Sequence, residues 1–225
     1  MHIGVFGDSF AMMGWENGLI WWRLLEQQFG HKVTSHGQAG SSIEYSAELI
    51  DMHYKQYDFM IWCLSWPGRH SIKTEDGYYH TGNLAGAQKQ KEKSNLDTKI
   101  NICIDYSNHI HDRDSSSRIY RAASIGFLQQ YPNLMIIPCF NYPLATKFDL
   151  FSLSVIEMNY FFPGVPFLKV FSKYQDTRPA HLTLENNKIL AQLINDNLKP
   201  GIFQTEYNNF PTPTGSFEGL FKIHP

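Results

Sequence analysis

Residues 57–64 read Tyr-Asp-Phe-Met-Ile-Trp-Cys-Leu (YDFMIWCL), the strongest buried-strand signal in the chain. A continuous apolar run of this length, without polar alternation, suits a strand covered on both faces. Outward from it lie three more strand signals. Residues 2–6 (HIGVF) form a short apolar run bounded by Gly7, residues 32–35 (KVTS) read as a second strand, and residues 134–139 (LMIIPC) as another. Helical patterns separate them. Trp15, Leu19, Trp22, Leu25 and Phe29 recur at spacings of three and four, predicting an amphipathic helix over 15–29 ended by Gly30. Further helices are predicted at about 43–54, 115–130 and 183–198. The last carries Leu184, Ile189, Leu193 and Ile194 on its inner side. Strands alternating with helices predict a parallel sheet with helices on both faces.

The expected fold class is therefore α/β: a three-layer α/β/α sandwich on a flavodoxin-like parallel sheet of about five strands. A single domain over residues 1–199 fits the length of 225 residues. Residues 65–99 are polar, contain Gly77, Gly82 and Gly86, and read as an excursion from the core after the third strand. Residues 200–225 have no helical or strand period. They set Phe203, Tyr207, Phe210, Phe217 and Phe221 among prolines and glycines, an extended tail that either wraps over its own domain or docks on another subunit.

Hydrophobic residues at 43% and charged residues at 18% describe a globular chain, and a net charge of -2 gives no basic excess for a nucleic-acid partner. Three cysteines, Cys63, Cys103 and Cys139, cannot all pair with one another, and two of them lie in apolar strand-like runs. Reduced buried thiols are expected. The first strand begins at His2, leaving no room for a signal peptide, and no apolar run is long enough to span a membrane. The expected location is the cytoplasm, with virion association as an option and no membrane partner.

Three short segments carry the chemistry. The first strand runs into Gly7-Asp8-Ser9-Phe10, which places Ser9 at the carboxyl edge of the sheet, where open α/β sheets hold their ligands. Ser9 is either a nucleophile there or a helix cap. After the second strand comes Ser35-His36-Gly37-Gln38-Ala39-Gly40-Ser41-Ser42, where the Gly40 amide could stabilise an oxyanion and Ser41 or Ser42 could cap the next helix. Before the last helix comes Asp176-Thr177-Arg178-Pro179-Ala180-His181-Leu182-Thr183, a histidine and an acid on one loop, suited to an oriented general base.

In their order, GDSF, HGQAGSS and DTRPAHLT resemble three of the sequence blocks of the SGNH/GDSL hydrolases, over roughly residues 1–198. The resemblance implies Ser9 as nucleophile, His181 as its base and the amides of Ser9 and Gly40 as oxyanion donors. It implies no cofactor. Two departures stand out. The family's Gly-x-Asn-Asp turn after the third strand is here Leu64-Ser65-Trp66-Pro67-Gly68-Arg69, without asparagine; Arg69 or the Ser65 hydroxyl could replace the missing donor. The acid usually three residues before the histidine is here Arg178, so Asp176, five residues before, is expected as the third triad member, with a Ser-His pair as the alternative. Trp66 would touch ligand beside this turn.

The expected activity is that of a serine esterase or deacylase on small acyl esters, O-acetylated carbohydrate first. Its rival is a non-catalytic SGNH-like component, structural or glycan-binding, of a larger assembly such as a phage particle, joined to a protein partner or to further copies through the tail. A nucleotide-binding flavodoxin-like protein shares the architecture but would need a phosphate-cradling glycine pattern absent here. His109, His111, Asp112 and Asp114 (HIHDRD) form a dense run of potential metal ligands, read instead as a solvated lead-in to a helix, so no metal is expected.

Overall fold

The computed structural model describes residues 1–12, 20–65, 69–74, 77–80, 122, 124–139, 182, 184–205 and 209. In chain order they form strand β1 (His2–Gly7), helix α1 (Trp21–Phe29), strand β2 (Lys32–Ser35), helix α2 (Ile43–His53) and strand β3 (Phe59–Leu64). Hairpin strands β4 (Ser71–Thr74) and β5 (Gly77–His80) follow, then strand β6 (Leu134–Pro138), helix α3 (Leu184–Asp196) and strand β7 (Gly201–Ile202). Residues 124–130 are also helical. The main sheet has five strands in the order β2-β1-β3-β6-β7, every pair parallel. The α/β reading is thus correct, and the five strands found among the described residues agree with the expected sheet.

Period-2 side-chain alternation sorts the core into two layers. Ile3, Val5, Ile61, Cys63, Met135 and Ile137 point to one face, where Trp21 and Leu25 of α1 and Leu190 and Ile194 of α3 cover them. Phe6, Met60, Trp62, Leu64, Leu134 and Ile136 point to the other, under Ile43 and Ile50 of α2 and Phe127. All six β3 residues are buried, the physical reason that YDFMIWCL shows no alternation. The strand itself begins two residues later than the apolar run, because Tyr57 ends a 3-10 turn and packs its ring over Gly4.

Helix α1 begins at Trp21 and ends at Gly30, which adopts the left-handed conformation (φ 71°) that closes many helices. The periodic positions Trp15 and Leu19 lie outside the described residues. The fifth strand had no sequence signal. Gly201 and Ile202 pair with Met135 and Ile136, and Phe203 is buried in the face covered by α1 and α3. The first residues of the aromatic tail therefore pack on their own domain. Within the polar excursion, β4 and β5 pair as an antiparallel hairpin beside the main sheet. Among the described residues no helix is long and apolar enough to cross a membrane.

Candidate active site

The sheet order reverses at β1: β2 lies on one side of it and β3 on the other. Carboxyl ends on either side of such a switch point diverge and leave a crevice for ligand. The segments that leave β1, β2 and β3 all meet there.

The first of them is built on Gly7. Its φ is 140°, and a Cβ at this position would stand 2.7 Å from the Cys63 Cβ, so only glycine lets β1 lie against β3 here. Asp8 follows, fully buried. Its Oδ1 accepts the Phe10 amide at 3.0 Å, and its own carbonyl accepts the Ala11 amide at 3.0 Å, winding the chain into a tight turn with Ser9 at its crest. Ser9 is half-buried. Neither its hydroxyl nor its amide is bonded to another group among the described residues, and the same holds for the Gly40 amide.

The second segment is anchored to the first by the Gly7 carbonyl, which accepts the Gln38 amide at 3.0 Å and the Ser41 hydroxyl at 3.1 Å. Gly37 lies so close to the backbone of Ala11 and Met12 that a side chain there has no room. Gly40 takes a left-handed φ of 74° and turns the chain into α2. Ser42, not Ser41, is the helix cap: its Oγ accepts the Tyr45 amide at 3.3 Å.

The third segment enters through Ser65 and Arg69. The Ser65 hydroxyl is shared between Asp8 Oδ2 (3.1 Å) and the Ser41 carbonyl (2.8 Å), and it accepts from Arg69 Nη1 at 3.1 Å. Arg69 Nη1 also forms an ion pair with Asp8 Oδ2. A buried carboxylate is costly unless paired and hydrogen-bonded, and Asp8 is both. The two candidate oxyanion helpers thus converge on Asp8 and brace the frame that holds Ser9. Beneath them burial pushes the Cys139 thiol up, and the neighbouring Cys63 and Asp8 act in the same direction. Cys63 and Cys139 are free and buried, as expected; Cys103 lies outside the described residues.

A hydrogen-bonded chain leads from the Ser9 turn to the last helix. Phe10, buried next to Ser9, accepts the Trp21 indole N–H on its carbonyl at 3.0 Å. The Trp21 amide donates to Asn187 Oδ1 at 2.9 Å, and Asn187 Nδ2 donates to the Leu182 carbonyl at 3.0 Å. Phe10, Trp21 and Leu182 share one core cluster. Leu182 is the residue after His181; His181, Asp176 and Trp66 themselves lie outside the described residues, as do His109, His111, Asp112 and Asp114.

No family model matches this sequence, and no curated protein matches it. The site therefore stands on its own geometry. Among the described residues no three histidine, cysteine or acidic side chains cluster as a metal site. Sequence reasoning passed over Asp8 as a bracing group and Asn187 as a link. Asp8 sat in view inside GDSF, whereas an asparagine within a helix carries no mark of a partner 166 residues away.

Proposed function

We propose that the protein is a serine esterase or deacylase with Ser9 as nucleophile and His181 as general base. The observation that carries this reading is the hydrogen-bonded chain Phe10–Trp21–Asn187–Leu182, which ties the residue after Ser9 to the residue after His181. In the reaction, Ser9 Oγ attacks the acyl carbonyl as its proton passes to the His181 imidazole. The tetrahedral oxyanion is held by the Ser9 and Gly40 amides, the leaving alcohol takes the proton from His181, and water repeats the sequence to free the acid. Asp176 is the residue assigned to orient the imidazole, and Trp66 the one assigned to contact the ligand. Arg69 and Ser65 contribute through Asp8, by holding Ser9 and the loop before α2 in register. No cofactor enters. The substrate class is small acyl esters, with O-acetylated carbohydrate as the natural form to try.

Hydrolysis of p-nitrophenyl acetate by the wild type, Ser9→Ala and His181→Ala tests this. The expected result is turnover in the wild type and a loss of about a thousandfold or more in each variant. Folded wild type without turnover, and without labelling of Ser9 by a fluorophosphonate, overturns it. The rival, a non-catalytic binding component of a larger assembly, draws on one observation: Arg69 stands where the family has an asparagine donor and engages Asp8 instead.

A further inference from the structure

We propose that Ser71 and His80 form a second nucleophile–base pair, able to accept an acyl or phosphonyl group without any part being played by Ser9. The two residues are directly opposite one another across the β4–β5 hairpin. Ser71 Oγ lies 2.8 Å from His80 Nδ1, hydrogen-bond distance for a serine activated by an imidazole. The same oxygen accepts the backbone N–H of Ser42 at 3.0 Å. Ser42 caps α2, so Ser71 Oγ sits at the amino end of an eleven-residue helix, where an N–H group and the helix dipole favour a developing negative charge.

The surroundings suit a base. His80 is half-buried, its ring packed edge-on to Tyr45 of α2 (4.5 Å between centroids) and parallel to Tyr78 (6.3 Å). Burial lowers its proton affinity, which favours the neutral imidazole that a base requires. The nearby charges, Lys73 and Glu48, are paired with each other and with the Tyr78 hydroxyl. With the imidazole proton on Nε2, Nδ1 accepts from the Ser71 hydroxyl. Ser71 Oγ then attacks an ester carbonyl, the O–H proton moves to His80 Nδ1, and the departing alkoxide removes that proton. With a fluorophosphonate the new bond is Oγ–P, fluoride leaves, and the proton follows it to solvent.

The inference does not rest on the Ser9 reading, and one labelling experiment separates the two. The full chain, as wild type, Ser9→Ala and Ser9→Ala/His80→Gln, is treated with a fluorophosphonate. It is then cut with trypsin, which cleaves after Arg23 and Arg69 and so puts Ser9 and Ser71 in different peptides. The expected result is label on the Ser71 peptide of Ser9→Ala, falling at least tenfold when Gln replaces His80 in protein with an unchanged circular-dichroism spectrum. An unlabelled Ser71 peptide in folded Ser9→Ala overturns the proposal. So does equal labelling with His80 and with Gln. If His80→Gln fails to fold, mapping of label in Ser9→Ala alone decides the matter.

Discussion

The Trp21 amide donates to the Asn187 side chain across 166 residues of sequence, and this bond fastens helix α3 to the start of helix α1. Asn187 is 5% exposed, and its side-chain amide accepts from the Trp21 N–H and donates to the Leu182 carbonyl. Replacement by alanine leaves a buried N–H and a buried C=O unsatisfied, which costs about 1–3 kcal/mol for each group. Asn187→Ala is therefore expected to lower the urea midpoint clearly. It should also reduce the proposed esterase turnover in protein that remains folded, because the residue after His181 loses its tether. Turnover unchanged in a destabilised variant would separate Asn187 from catalysis.

The Asp8–Arg69 pair predicts a non-additive cycle. Removing one partner of a buried ion pair costs about 3–5 kcal/mol, since the other charge stays buried, whereas replacing both is often close to neutral. Asp8→Asn and Arg69→Met should each destabilise strongly, and the double variant less than their sum. Asp8 is fully buried and the Arg69 side chain only 16% exposed, so solvent screening removes little of the coupling. Chemical denaturation of the four proteins measures it. Additive effects would mean that the two side chains do not act as a unit.

Stability should fall in mild acid, and His36 supplies the reason. Its ring stacks on Phe6 at 4.9 Å and on His53 at 4.7 Å, and its Nε2 bonds the Tyr57 hydroxyl. Burial first, and His53 second, hold its proton affinity below the ordinary value of 6.5. The unfolded chain therefore binds a proton that the folded chain refuses, so the contribution is complete above pH 6.5 and is lost as pH falls below it. The melting temperature should drop between pH 7 and 5, and drop less in His36→Gln. An identical slope in the variant would assign the acid sensitivity to other groups.

Local chemistry made the parallel sheet legible. The unbroken apolar run ending at Leu64, the strand-to-glycine step at Gly7 and the helix periods are all consequences of burial pattern, which sequence displays directly. The glycines of the site were legible as glycines but not for their reason: Gly7 and Gly37 are required by backbones that approach from β3 and from Ala11–Met12. Arg69 was visible as a polar group after the third strand, yet its direction toward Asp8 depends on Gly7 bringing β1 against β3. Strand β7 stayed hidden because two residues show no period and its pairing is supplied entirely by β6.

That short strand carries the last prediction. The Phe203 amide donates to the Ile136 carbonyl at 2.8 Å, and its side chain is 4% exposed in the face covered by α1 and α3. Phe203→Ala should cost about 3–5 kcal/mol, the usual range for an emptied aromatic core position. Truncation separates two roles within the tail. A chain ending at Leu198 loses β7 and Phe203, exposing the edge of β6, and is expected to aggregate or unfold. A chain ending at Thr205 keeps both and should match the full chain in melting temperature. Light scattering and thermal melts of the two truncations give the answer. If the chain ending at Leu198 proves as stable as the full one, the aromatic tail from its first residue would be free to serve a partner rather than its own core.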